Sequence, residues 1–113
     1  MPTPEKKVKQ NVVKILTELD AYWFYPATGG YGRNGVPDII ACIEGLFLAI
    51  ECKAGSGKVT ALQERELRLV EEANGFAMIY REPGCTPEML KSLLVHWLKS
   101  RGSAQKEGTG ETL

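Results

Sequence analysis

The stretch VPDIIACIEGLFLAIECK, residues 36–53, decides the fold of this chain. It contains two apolar runs, residues 36–43 and 46–53, separated only by Glu44 and Gly45. Two such runs on either side of a two-residue turn signal predict an antiparallel β-hairpin. If Glu44 and Gly45 close the hairpin, Asp38 faces Glu51 across the two strands. The sequence therefore predicts a hairpin that carries two acids side by side at its open end.

The facing acids make this hairpin chemically informative. Residues directly opposite each other share a face, with Cβ atoms about 5 Å apart, so two carboxylates repel each other unless a cation lies between them. Lys53 follows Glu51 by two residues and therefore lies on the same face. Two acids and a base at one end of a hairpin are typical of a hydrolytic metal site. The alternative is an ordinary ion network, in which Lys53 and Arg33 neutralise Asp38 and Glu51.

Size and composition limit the other possibilities. The 113 residues are enough for one domain with a modest core, and 43% hydrophobic and 25% charged residues are ordinary for a globular protein. Basic and acidic residues both number 14, so net charge gives no argument for nucleic acid. No apolar run has the length of a membrane span, and no secretory signal is present. Three cysteines without a Cys-x-x-Cys pair are typical of buried thiols in a reducing compartment, which predicts a cytoplasmic protein.

The segments around the hairpin complete a predicted fold. Three helices begin at capping threonines, namely Thr3, Thr60 and Thr86. Residues 22–25 and 76–80 predict two further strands, and the helical crossover that precedes residues 76–80 makes that strand parallel to the second hairpin strand. We expect an α/β fold with a four-stranded mixed sheet flanked by helices, in the order α-β-β-β-α-β-α. Residues 1–100 form the predicted domain, and residues 101–113 are predicted to be a disordered tail.

Several motifs resemble a known nuclease family. Pro37-Asp38 followed by Glu51-Cys52-Lys53 resembles the Pro-Asp…(Asp/Glu)-x-Lys signature of restriction-endonuclease-like nucleases. More narrowly, residues 32–38, residues 47–53 and the segment 60–63 are similar to the virus-type replication-repair nuclease (VRR-NUC) domain. The resemblance covers about residues 5–81. It implies a restriction-endonuclease-like core and a DNA endonuclease that uses Mg²⁺ or Mn²⁺ on branched DNA such as four-way (Holliday) junctions, in a bacterial or phage-infected host cell.

The resemblance also implies roles for individual residues. Asp38 and Glu51 are the expected ligands of a divalent cation, together with the backbone carbonyl of Cys52 and with Glu5 from the first helix. Lys53 is expected to orient the attacking water or help to deprotonate it, or to stabilise charge on the phosphate. Because resolving a junction needs two cuts and one domain carries one site, a homodimer is expected.

Two of these residues also have a structural interpretation. An acid in the first helical turn, such as Glu5, is favourable for the helix dipole alone, and Glu18 is the less favoured alternative ligand. Gln63 is expected beside the active site as a catalytic residue, but it also completes a capping box with Thr60. A solvated helix face is the interpretation given to the lysines of the first helix, which are Lys6, Lys7, Lys9 and Lys14.

DNA contacts and alternative functions complete the predictions. Arg33, Asn34 and Lys58 are the candidate contacts to the DNA backbone. The segment 55–58 does not fit a P-loop, because Cys52 and Val59 stand where glycine and Ser or Thr are required, so no nucleotide cofactor is expected. Two alternatives remain open: a non-catalytic DNA-binding or assembly module with the same fold, and a sequence-specific restriction-type endonuclease.

Overall fold

The computed structural model describes residues 3–27 and 32–108, with side chains described up to residue 101. The elements follow the predicted order α-β-β-β-α-β-α, which is thereby confirmed. In chain order these elements are α1 (Pro4–Glu18), β1 (Tyr22–Phe24), β2 (Ile39–Ile43), β3 (Leu46–Ala54), α2 (Ala61–Glu72), β4 (Phe76–Glu82) and α3 (Pro87–Gly108).

The predicted hairpin is formed by β2 and β3. The two strands pair antiparallel from Ile39 with Ile50 to Ile43 with Leu46, which is the predicted register. The two turn residues, 44–45, have φ angles of 52° and 83°. Positive φ at both central residues is what a type I′ turn requires, and this turn matches the twist of the strands it joins. The short turn therefore fixes which residues face each other at the open end of the hairpin.

The hairpin forms the centre of a four-stranded sheet. The strand order is β1-β2-β3-β4, and β1 pairs antiparallel with β2. β4 runs parallel to β3, from Leu48 opposite Phe76 to Ala54 opposite Glu82, and α2 provides the crossover between them. One parallel pair beside antiparallel pairs confirms the predicted mixed sheet. The parallel pair requires a crossover of this kind.

The two faces of the sheet have different roles. One face packs on α1 and α3 through a cluster of buried side chains, in which each fully buried Leu, Ile or Val contributes about 1.5–3 kcal/mol. Since side chains alternate along a strand, Glu51 and Lys53 project from the other face, toward α2. A one-residue slip of the strand register would turn Glu51 into the core. The packing of the core therefore also determines on which face the acid pair lies. The cluster contains Val8, Val12, Ile15, Leu16, Ile39, Ala41, Ile43, Leu48, Ile50, Cys52, Tyr80, Leu90 and Leu94.

The helix starts are the predicted ones, whereas the last helix ends later than predicted. The side-chain oxygens of Thr3, Thr60 and Thr86 each accept a hydrogen bond from the backbone N–H three residues on, at 3.1–3.2 Å. α3 continues to Gly108, although the sequence predicted that it ends before residue 101. Residues 103–107 (SAQKE) contain good helix formers that propagate a helix once it has begun. Residues 109–113 of the predicted tail lie outside the described residues, and the domain boundary at residue 100 stays a prediction.

The chain that leads into Asp38 packs against the first turn of α2. The glycine-rich loop predicted there is described only from residue 32 onward. Gly35 has a φ angle of 80°, and a Cβ atom at this position would lie 2.6 Å from the backbone carbon of Leu62. Only glycine fits this close approach. The contact brings the start of β2 and the start of α2 together.

Two further expectations concern the cysteines and membrane spans. All three cysteines are free thiols, but Cys42 is exposed while Cys52 is buried and Cys85 is half-buried. The expectation of buried thiols is therefore wrong for Cys42, since alternation along β2 turns it away from the core residues Ala41 and Ile43. In the part of the chain that the structure describes, no helix is long and apolar enough to cross a membrane.

Candidate functional site

Asp38 and Glu51 lie together at the open end of the hairpin, and each has one oxygen held by the protein. Asp38 Oδ2 accepts a hydrogen bond of 2.8 Å from the backbone N–H of Cys52. Glu51 Oε2 accepts one of 2.9 Å from Gln63 Nε2 and lies 3.5 Å from Lys53 Nζ. Glu51 Oε1 is buried and has no hydrogen-bond partner among the described residues. The structure thus leaves one carboxylate oxygen of Glu51 buried without a donor.

Burial and the neighbouring Asp38 both disfavour the charged form of Glu51. The Glu51 side chain is almost fully buried, at 1% exposure. Burial, and after it the negative charge of Asp38, raises the pKa of Glu51 to about 7 from an ordinary value of 4.5, and Lys53 offsets only part of this. A buried oxygen without a donor, next to a second carboxylate, is a position that a cation would stabilise. The donor set consists of hard oxygens, which fit Mg²⁺ or Mn²⁺ better than a soft metal.

Cys52 contributes backbone atoms to the site, while its thiol belongs to the core. The side chain has no exposed surface, and burial, followed by the charges of Asp38 and Glu51, raises the pKa of the thiol. Its N–H points toward Asp38, so its C=O lies on the same edge of β3. Because β2 begins only at Ile39, that carbonyl lies beyond the last strand pair. A ligand role for this backbone oxygen stays a prediction.

Gln63 completes the predicted capping box and also contacts Glu51, while a catalytic role for it stays a prediction. Its Oε1 accepts the backbone N–H of Thr60 at 2.9 Å and closes the capping box of α2. Its Nε2 donates to Glu51 Oε2 at 2.9 Å. Since Oε1 is occupied by the helix cap, the amide can present only its N–H₂ group to Glu51. One side chain therefore joins the start of α2 to the acid pair.

Lys53 and Lys9 supply the positive charges of the site. Lys53 is on β3, and only 11% of its side chain is exposed. Lys9, on α1, has its Nζ 3.6 Å from Asp38 Oδ1 with 31% of its side chain exposed. Lys9 therefore does not lie on a solvated face of α1, and the prediction that it does is wrong. The available signal was its place directly after Val8 in the chain, which puts it at the edge of the buried stripe.

Glu5, the predicted additional ligand, is exposed in the first turn of α1. Its negative charge contributes to the raised pKa of the Cys52 thiol, so it lies in the same region of the molecule. Within residues 3–27 and 32–108, however, no three His, Cys, Asp or Glu side chains form a metal-binding group. The structure brings together two acids, and a ligand role for Glu5 stays a prediction.

The predicted DNA contacts lie outside the acid pair. Arg33 Nη2 is 2.7 Å from Oε2 of the buried Glu66 on α2, and Arg65 Nη2 is 3.2 Å from the same oxygen. Arg33 is therefore not the neutralising partner of Asp38 that the alternative interpretation required. Its side chain is 63% exposed, and Asn34 and Lys58 are exposed as well.

The chain is similar to one protein family in sequence and to solved VRR_NUC domains in structure. The model of the archaeal Holliday junction resolvase (Hjc) family matches residues 6–79. A solved VRR_NUC domain is similar with a TM-score of 0.68 and 18% identity, and the match covers 85% of this chain and 99% of that one. A second VRR_NUC domain protein has a TM-score of 0.54 and 16% identity over 88% and 91% of the two chains.

A solved Holliday junction resolvase, Hjc from the archaeal hyperthermophile Archaeoglobus fulgidus, is also similar. Its TM-score is 0.52 at 17% identity, over 74% of this chain and 77% of that one. No curated protein matches the chain in sequence. At these identities the solved structures show the fold, and they confirm the predicted restriction-endonuclease-like architecture and the resemblance to VRR-NUC domains.

Proposed function

The chain belongs to the archaeal Holliday junction resolvase (Hjc) family of nucleases, and on that premise we propose that it is a divalent-metal-dependent endonuclease that cleaves branched DNA. The observation that carries the metal dependence is the buried Oε1 of Glu51, which lacks a donor and lies beside a second carboxylate. Burying a carboxylate oxygen without a hydrogen-bond donor lowers the stability of the folded protein unless a cation binds it. Mg²⁺ and Mn²⁺ are the ions that suit these oxygens.

In the proposed site, Asp38, Glu51 and the backbone carbonyl of Cys52 would hold the ion. When bound, the ion supplies Lewis-acid stabilisation and an activated water for phosphodiester hydrolysis. The hydrogen bond from Cys52 N–H fixes Asp38, and the one from Gln63 fixes Glu51, so both carboxylates are oriented before the ion arrives. Such anchoring supports precise placement of ligands. Gln63 acts as a positioning residue in this arrangement.

Lys53 carries a fixed positive charge on the same face as the acids. Its ammonium group is held 3.5 Å from Glu51 Oε2, and the side chain is largely buried, so its position is restricted. A preorganised charge of this kind stabilises the negative charge that develops on a phosphate in the transition state. We propose this electrostatic role for Lys53, with hydrogen bonding to the attacking water as a second contribution.

The proposed substrate is a four-way junction. Arg33, Asn34 and Lys58 are exposed on the segments that lead into β2 and α2. This exposure supports the proposal that they contact backbone phosphates. One chain provides one acid pair, so two cuts on opposite strands require two copies. A twofold homodimer is the proposed assembly, because a closed dimer presents two equivalent sites.

Cleavage of a labelled four-way junction, compared with a linear duplex of the same arm sequence, tests the function. We expect the protein to cut the junction with Mg²⁺ or Mn²⁺ and to be inactive in EDTA. Asp38→Asn is expected to reduce the cleavage rate at least a thousandfold while junction binding is retained, because Asn keeps an oxygen for the Cys52 N–H but loses the charge. The matched control is Asp20→Asn in the exposed turn after α1, where a φ angle of 59° also suits Asn.

Each alternative has its own outcome in this assay. If Asp38→Asn cuts at the wild-type rate, the assignment of the metal ligands is wrong. Binding of the junction without cleavage at any metal concentration would identify a non-catalytic DNA-binding module. Repeated cutting of the duplex at one short sequence, with the junction left intact, would identify a restriction-type enzyme.

A further inference from the structure

Lys9 contacts the acid pair from a different element than the other site residues. It projects from α1, which packs on the core face of the sheet, whereas Glu51, Lys53 and Gln63 all lie on the opposite face. Its Nζ reaches to 3.6 Å from Asp38 Oδ1, and nearly a third of its side chain is exposed. The contact therefore joins the first helix to the open end of the hairpin.

The two lysines of the site lie beside different carboxylate oxygens. Lys53 contacts an oxygen that already has a donor, and Lys9 contacts an oxygen for which the described residues provide none. Lys53 lies beside Glu51 Oε2, the oxygen that Gln63 already holds, so it leaves Oε1 open. Lys9 lies beside Asp38 Oδ1, while the other oxygen of Asp38 is held by the N–H of Cys52. Oδ1 is thus the oxygen of Asp38 that remains for a metal ion, and Lys9 is the cation that contacts it.

We propose that Lys9 is a built-in counter-ion of Asp38 that competes with the divalent ion for Oδ1 and thereby weakens metal binding by the DNA-free protein. This inference rests on the proposed function, because it assumes that Asp38 is a ligand. The ammonium group and a divalent ion repel each other at close range, so Lys9 must leave Oδ1 when the ion binds. Its flexible stem and partial exposure allow it to turn toward solvent.

The proposal predicts two opposite effects of removing the charge. In Lys9→Met the metal-free site loses a cation that offsets two adjacent acids, so the protein becomes less stable in EDTA. The same change removes the competitor at Oδ1, so Mn²⁺ binds more tightly. A lysine that served only to support the fold would lower stability and leave metal affinity unchanged or weaker.

Mn²⁺ binding to the DNA-free protein tests the proposal, with the free ion measured by electron paramagnetic resonance and thermal unfolding measured in EDTA. We expect Lys9→Met to bind Mn²⁺ about fivefold more tightly than wild type and to unfold at a lower temperature. Lys14→Met is the matched control, because it makes the same change at an exposed position of α1. Lys9→Arg, which keeps the charge, is expected to stay within twofold of wild type.

The outcomes separate this inference from the proposed function. If Lys9→Met binds Mn²⁺ no more tightly than wild type, the counter-ion role is overturned while the metal site stands. If the wild-type protein binds no Mn²⁺ at all, the proposed metal site fails and the inference fails with it. Should Lys9→Met not fold, as judged by circular dichroism, Lys9→Gln removes the same charge with a polar side chain and is held to the same affinity criterion.

Discussion

Replacing Glu51 with glutamine is expected to make the metal-free protein more stable at neutral and alkaline pH while abolishing cleavage. Glutamine has nearly the shape of a protonated glutamate and carries no charge at any pH. It keeps an oxygen that can accept the hydrogen bond from Gln63 Nε2. The change therefore removes the repulsion from Asp38 and the cost of burying a charge, which are the two causes of the raised Glu51 pKa.

The size of the effect follows from proton linkage. A glutamate ionises near pH 4.5 in the unfolded chain, and Glu51 ionises near pH 7 in the folded protein. Below pH 4.5 both states hold the proton, so the wild type carries no penalty. As pH rises from 4.5 to 7 the unfolded state releases its proton first, so the free energy of unfolding of the wild type falls. With 1.36 kcal/mol for each tenfold change in proton affinity, the full loss is about 3 kcal/mol above pH 7.

Chemical denaturation in EDTA at pH 5, 6, 7 and 8 measures this difference. We expect the stability advantage of Glu51→Gln to be small at pH 5 and about 3 kcal/mol at pH 8, which corresponds to a shift in the melting temperature on the order of 10–15 °C. The control is Glu66→Gln, a second buried glutamate whose Oε2 is paired with Arg33 and Arg65. That change should lower stability by about 1 kcal/mol, because both partners are largely exposed. A Glu51→Gln protein that is less stable than wild type at pH 8 would refute the reasoning.

Substitutions at three further positions test the contact to Glu51, the packing before β2 and the proposed DNA contact. Gln63→Ala removes the side-chain half of the capping box and the donor to Glu51, while the Thr60 cap remains. We expect a loss of about 1 kcal/mol in denaturation and about tenfold slower single-turnover cleavage; an unchanged rate would exclude the positioning role. Gly35→Ala should cost about 2 kcal/mol or more, because its Cβ would meet the backbone of α2, whereas Gly45→Ala, with open space around it, should cost about 1 kcal/mol. Arg33→Ala should weaken junction binding about fivefold and reduce its salt dependence, as measured by fluorescence anisotropy; equal salt slopes would contradict a phosphate contact.

The sequence was sufficient to predict the hairpin, because its information is local. The turn at residues 44–45 and the alternation of the flanking apolar residues fix the register, and the register places Asp38 beside Glu51. Helix starts were predictable for the same reason, since a threonine cap acts on the backbone three residues away. The capping box of Gln63 also followed from a local pattern.

What the sequence could not provide are contacts between elements that are distant in the chain. Lys9 and Asp38 are 29 positions apart. The place of Lys9 at the edge of the buried stripe of α1 indicates a partly buried side chain, but it does not identify Asp38 as the partner until α1 is packed on the sheet. The pairing of Arg33 with Glu66 is also a long-range contact, and it joins the same two segments that approach each other at Gly35 and Leu62. Helix and strand patterns predict the face on which a residue lies. They do not predict which residue of another element contacts it.

The contrast between the two buried glutamates is the strongest structural argument that the acid pair is functional. Glu66 is 7% exposed and has two arginines on one oxygen, which is how a protein retains a buried acid for folding alone. Glu51 is more deeply buried, has an amide and a lysine on one oxygen, and has no donor on the other. The chain thus supplies arginine partners to one buried glutamate and leaves an oxygen of the other bare beside a second carboxylate. That arrangement is unfavourable without a cation, which supports the proposal that a divalent ion binds there. The proposal predicts that Mn²⁺ raises the melting temperature of wild type more than that of Glu51→Gln.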